Sequence, residues 1–233
     1  LTVQWQRKEL KKDIAAIKLI SDISGKAAEP LLVSQFMSYV CETFARYLNL
    51  RGVFIYLPSD KSDKSLVCKY NWTLPQGKDE KNHGIITIHQ EPSQNLYDWL
   101  RHLKSGGMVY FSCDDNSCKN LPPDIYCYPI KETEALLCGG GWNPAYYEES
   151  TLLLVPLFVK KEFSGFVCMS GYPEFHKMAQ SEQSRQFSVI RSASVMISLV
   201  LDREKEVIEK ENLMAQAAHQ ARLASVGELA AGL

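Results

Sequence analysis

No stretch of this sequence stays apolar for long. Its longest runs, such as residues 152–155 ahead of Pro156, fall far short of the roughly 20 apolar residues a membrane helix needs. Residues 6–12 are too polar and charged for a secretory leader. The expectation is a soluble, cytoplasmic piece, with any membrane anchor lying ahead of Leu1. No methionine opens the chain and its last residues stop inside a pattern, so a fragment of a longer protein is expected. Charge of one sign is also missing: 26 Lys and Arg stand against 27 Asp and Glu, which leaves nothing to mark a nucleic-acid partner. The seven cysteines are odd in number and spread over 233 residues, unlike the framework of a small secreted domain, so reduced thiols are the default. No two of the histidines (His83, His89, His102, His176, His219) are spaced i,i+4 as a metal pair would be. The glycine triplet at 139–141 lacks the Lys-Ser/Thr and the preceding strand of a phosphate loop. There is no kinase ATP-lid motif and no Ser/His/Asp set placed as a triad. Neither a catalytic residue nor a metal site is therefore expected in this chain.

Residues 3–23 carry helical periodicity. Leu10, Ile14, Ile17 and Ser21 trace one stripe, Ile20 and Ile23 broaden it, and the stripe would suit pairing with a second copy; Ser24-Gly25 is expected to break the helix. A second helix is expected from Pro30, with Leu32, Phe36, Val40, Phe44 and Leu48 facing a core and residues 49–52 ending it. The period then changes to that of strands at 53–57 and 66–73, which form a hairpin, and at 84–89. A short amphipathic helix follows at 94–104 with Gly106 just past its end, then a strand at 108–111. Residues 112–149 read as a long irregular segment, a length usually reserved for function. Residues 152–159 and 163–170 read as a hairpin. Beyond Pro173 there is no proline, and from Gln180 one helix of some fifty residues can run to the end. Phe187, Ile190, Ser194, Ile197 and Leu201 give it a heptad stripe; Leu223, Val226, Ala230 and Leu233 give a second, out of register with the first, so the helix must twist or skip between them. This order suits an α+β fold, an antiparallel sheet with helices grouped on one face, flanked by N-terminal and long C-terminal coiled-coil helices.

Four thiols, Cys113, Cys118, Cys127 and Cys138, fall within 26 residues of the irregular segment. Four thiolates suit tetrahedral zinc or an iron–sulfur cluster, but the spacing contains no Cys-x2-Cys pair. Buried small hydrophobes and plain loop thiols are the reading preferred here; a metal site and a redox sensor stay open. Trp99, Tyr110, Tyr126, Tyr128, Trp142, Tyr146 and Tyr147 gather in and beside the same segment, as core plugs or as the walls of a pocket.

Two resemblances follow. The final eleven residues, Leu-Ala-Ser-Val-Gly-Glu-Leu-Ala-Ala-Gly-Leu, closely resemble the start of the dimerisation and phosphotransfer helix of bacterial sensor histidine kinases. In that family Ala-His-Glu comes next, so the resemblance puts the phosphoacceptor histidine two residues past Leu233. His219 precedes the motif and reads as a solvated helix residue. Leu153-Leu-Val-Pro-Leu157, a charged turn and Gly165-Phe-Val-Cys-Met169 resemble the central hairpin of the GAF domain, a small-molecule sensor module, over residues 28–201. Together they imply an N-terminal linker helix (1–24), a GAF-like sensor domain (25–201) and a signalling helix (202–233). They imply a homodimer through the terminal helices, a small-molecule ligand, and, for the full-length protein, ATP, Mg and a response regulator; the fragment itself is expected to be inactive. The GAF resemblance places the ligand between the sheet and the irregular segment, lined by Tyr110, Trp142 and Cys168. A metal or redox sensor, a ligand-free dimerisation module and a free methionine sulfoxide reductase are the competing readings.

Overall fold

Strands that bury both faces, alternating with helices that bury one, stack into three layers. We describe residues 2–30, 32–59, 62–73, 85–87, 94–112, 121–129, 151–171 and 178–231 from a computed structural model. In chain order these form α1 (Thr2–Ala28), α2 (Val33–Leu48), β1 (Gly52–Ser59), β2 (Ser62–Thr73), β3 (Ile85–Thr87), α3 (Gln94–Lys104), β4 (Met108–Ser112), β5 (Ile125–Pro129), β6 (Leu152–Val159), β7 (Glu162–Ser170) and α4 (Gln180–Ala231). The strands make one sheet in the order β3-β2-β1-β7-β6-β4-β5.

Pleating divides the sheet's side chains between two cores. Val53, Ile55, Met108, Tyr110, Leu153, Val155, Val167 and Met169 face α1, α2 and α4. Phe54, Tyr56, Val109, Phe111, Leu154, Phe166 and Cys168 face the other way and pack with Leu100 and Leu103 of α3. Helices thus cover both faces, where one had been expected to carry them all. The amphipathicity of α3 shows that it needs a sheet, not which face it takes.

The pairing is antiparallel except for β5, which runs parallel to β4 at the sheet edge. This strand lies inside the segment read as irregular. Its signal is masked by Pro122 and Pro123 ahead of it and by Pro129 at its end, and an edge is where a strand tolerates a residue without an N–H. Helix α1 likewise runs on through Ser24-Gly25 to Ala28, because its inner face is paid for by packing: Ala16, Leu19 and Ile23 are buried. The stripe read as suited to pairing with a second copy, Leu10, Ile14 and Ile17, points outward at 55–67% exposure. Leu32 is exposed too, since α2 starts one residue later; Phe36, Val40, Phe44 and Leu48 are buried as expected. Asn49 closes α2 in the left-handed region (φ 53°), its N–H donating to the Ala45 carbonyl.

The β6–β7 hairpin sits at the centre. Gly165 of β7 has φ 129°, and a Cβ there would lie 2.1 Å from the Tyr56 carbonyl oxygen of β1, so only glycine lets the two strands close. The turn consists of Lys160 and Lys161, both left-handed (φ 51° and 68°), the twist that matches a two-residue hairpin.

Candidate functional site

The apolar stripe Phe187, Ile190, Ile197 and Leu201 seats α4 on the sheet, together with Val189, Ala193 and Val200. The seam read from spacing is therefore part of the domain's own core. Charged contacts hold α4 on its two flanks.

On one flank runs α1, parallel to α4. Arg185, whose side chain is only 8% exposed, donates to Glu9 (2.6 Å), Asp13 (2.7 Å) and Glu182 (2.8 Å). Lys12 donates to Glu182 at 2.6 Å. The fork of the guanidinium suits several carboxylates at once. Burial opposes the charge on Arg185, but the bonds to Glu9 and Asp13 outweigh it and raise its pKa further. The Arg185 bond holds Glu9 below the ordinary carboxylate range. Burial pushes Glu182 up, while Lys12, Gln186 and Arg185 together bring it below the ordinary value. Near the end of α1, Arg203 reaches the Glu29 carbonyl, which keeps the two helices side by side.

On the other flank the sheet itself grips α4. Arg191 pairs with Asp124, just ahead of β5. The β6–β7 register slips between Leu157 and Phe158, and the Phe158 N–H donates to Ser198 Oγ at 3.2 Å. Lys160 Nζ lies 3.9, 3.8 and 3.8 Å from Asp202, Glu206 and Glu209. Between these contacts opens a groove of about 220 Å³ lined by Pro156, Phe158, Val195, Leu199 and Asp202. Sequence patterning did not single out Arg185 or Lys160. The available signal was a set of helix charges, Glu9, Asp13 and Glu182, lying next to buried positions.

Past Leu201 the helix leaves the apolar core of the domain. From Lys205 to Val226 every side chain is exposed, including Val207, Ile208, Leu213, Met214, Leu223 and Val226. His219 is among these exposed residues.

Two of the residues expected to line a pocket, Tyr110 and Cys168, lie on opposite faces of the sheet. Tyr110 belongs to the core under α2 and α4, whereas Cys168 faces α3 across the sheet. Trp142 lies outside the described residues, as do Cys113, Cys118 and Cys138. On the α3 side His102 stacks on Tyr126 with ring centroids 3.6 Å apart. Burial pushes the thiols up, to about 11 for Cys68, to about 12 for Cys41 and higher for Cys168, so none is a thiolate at neutral pH. Cys127 on β5 is disulfide-bonded, against the expectation of reduced thiols throughout. Among the described residues no group of His, Cys, Asp and Glu is placed to hold a metal ion, and no helix is long and apolar enough to cross a membrane.

No protein-family model matches the chain, and no curated protein matches it. Solved structures do. It is similar to the GAF domain of A. aeolicus NLH2 in an inactive state, at 10% identity and TM-score 0.51, over 83% of this chain and 99% of that one. It is similar to the GAF domain of an Acinetobacter phosphoenolpyruvate-protein phosphotransferase, at 11% identity and TM-score 0.54, over 82% and 95%. A phycocyanobilin-bound GAF domain of a cyanobacterial phytochrome matches at 11% identity and TM-score 0.51, over 81% and 94%. At such identities the likeness is one of fold: the chain has the α+β GAF fold, extended by a helix that outruns it.

Proposed function

We propose that this chain is the sensory region and signalling helix of a sensor histidine kinase. The observation that carries the reading is α4. It is seated in a GAF-fold core up to Leu201, then projects for about 45 Å at 1.5 Å per residue, and its last residues, Leu223 to Ala231, open the Leu-Ala-Ser-Val-Gly-Glu-Leu-Ala-Ala-Gly-Leu motif. An exposed helix of this length gains little from propensity alone and needs a partner along its apolar positions. A second copy supplies it, so the chain is a homodimer, with the outward α1 stripe of Leu10, Ile14 and Ile17 extending the contact. A small ligand favouring one arrangement of the pair shifts the populations, and the helices carry the shift outward. If the ligand binds on the α3 face, Cys168 lies beneath it and Tyr110 does not. In the full-length protein ATP and Mg supply the phosphoryl group, which passes through the histidine beyond the motif to a response regulator, all in the cytoplasm.

The test is to express the chain with the coding sequence that follows it and incubate it with labelled ATP and Mg. Acid-labile, alkali-stable label on a histidine just past the motif is expected; absence of such label overturns the kinase reading.

The Cys127 disulfide favours a second reading, a thiol redox sensor. Thiol counts on oxidised and reduced protein, paired with the dimer's dissociation constant in each state, separate the two. A constant that does not move with redox state removes this alternative.

A further inference from the structure

Along the groove that α4 forms with the β6–β7 hairpin runs a stripe distinct from the one seated on the sheet. Val195, Leu199, Asp202, Glu206, Glu209 and Leu213 follow one another in steps of four, three, four, three and four, which places them on one stripe of a helix. Val195, Leu199 and Leu213 are 53–66% exposed, the proportions of a face awaiting another helix. Its middle, however, is three acids. Two copies of α4 paired in parallel through this stripe would set those carboxylates against their own duplicates, a repulsive arrangement.

The sheet answers this with one cation. Lys160 Nζ is within 4 Å of all three carboxylates, and Asp202 Oδ1 is enclosed without a hydrogen bond of its own. The lysine stands in a turn whose two residues are both left-handed, a conformation that non-glycine residues adopt at a cost. That turn joins the two central strands of the sheet, one of which, β7, carries Cys168 on the α3 face.

We infer that Lys160 couples the sheet to the output helix. With the turn seated, its ammonium neutralises the acidic stretch and permits α4 to pair with the same face of a second copy. A movement of β6 and β7 that lifts the turn withdraws the cation and pushes the paired helices apart or round. This rests on the homodimer proposed above, not on the kinase assignment.

The experiment is sedimentation of the whole chain, giving a dimer dissociation constant for the parent and four variants. Lys160→Glu raises the constant by about tenfold or more and Lys160→Asn, which suits the turn, by about threefold, as expected when close charges are mismatched or removed. Lys161→Asn, which keeps the charge at 160, leaves it unchanged. Adding Glu206→Lys and Glu209→Lys to Lys160→Glu returns it to within about threefold of the parent. The inference is overturned if Lys160→Glu, folded by its melting curve, stays within twofold of the parent, if the compensating lysines fail to restore pairing, or if Lys161→Asn acts as strongly as Lys160→Glu. A parent that is monomeric at every concentration overturns the homodimer itself.

Discussion

Cys41 and Cys168 are inert because of where they sit, not because of what they are. Both are fully buried in packed apolar surroundings, so their thiols stay protonated at neutral pH. Iodoacetamide at pH 7.5 should leave both unmodified in the native protein and label both after denaturation; native labelling of Cys168 would show that the α3 face opens. Two glycines make opposite predictions. Gly165→Ala should destabilise by about 2 kcal/mol or more, because its Cβ meets backbone and the residue must hold φ 129°. Gly25→Ala should stabilise by about 0.5–1 kcal/mol, since the residue is helical with nothing within 4 Å of the added carbon. Chemical denaturation measures both. Gly165 was legible as part of a hairpin motif, whereas Gly25 misled, because a glycine's local cost is small against the burial of Leu19 and Ile23 in the turns before it.

At the scale of elements, the parallel α1–α4 pair depends on Arg185. Arg185→Ala removes three ion pairs and leaves Glu9, Asp13 and Glu182 sharing a partly enclosed space. A loss of about 1–3 kcal/mol is expected, with the faster hydrogen exchange confined to α1. The carboxylates also set a pH dependence. Glu9 and Glu182 have native pKa values below the ordinary 4.5. Their contribution is therefore whole above that pH and is lost as pH falls through the lowered native values. Thermal melts between pH 6 and pH 3 should show this loss in the parent and a smaller one in Arg185→Ala; equal slopes would show that the cluster does not hold the helices. Element existence was well marked by period: the hairpins, α3 and the long α4 all stand where apolar spacing placed them. Orientation was not. The same apolar periodicity that defines α1 as a helix fits two faces, and the choice of Ala16, Leu19 and Ile23 as the inner one comes from the groove that α4 and α2 present.

For the whole molecule, the projecting half of α4 is the feature that most needs a partner. Its apolar residues reach from Val207 to Val226 with no tertiary cover. If a second copy covers them, stability is linked to concentration, and the melting temperature should rise as protein is raised from micromolar to tenfold above. A melting temperature independent of concentration would leave the output helix unpaired and the homodimer reading untenable. The candidate site shows the same division as the fold. Cys168 could be assigned to the central hairpin from its motif, but whether it shares a pocket with Tyr110 depends on strand parity across neighbouring strands, and the sheet puts the two on opposite faces.

Apolar spacing, proline placement and turn chemistry by themselves determined the α+β class, most of the elements and the long terminal helix, because each is governed by interactions within a few residues of chain. Tertiary structure alone decided the parallel edge strand β5, the burial of Ala16 and Leu19 of α1, the separation of Tyr110 from Cys168, and the meeting of Arg185 with α1 and of Lys160 with α4. Those outcomes rest on contacts between residues as much as 176 positions apart, and no local period in the chain encodes which distant surface a charged or apolar face will meet.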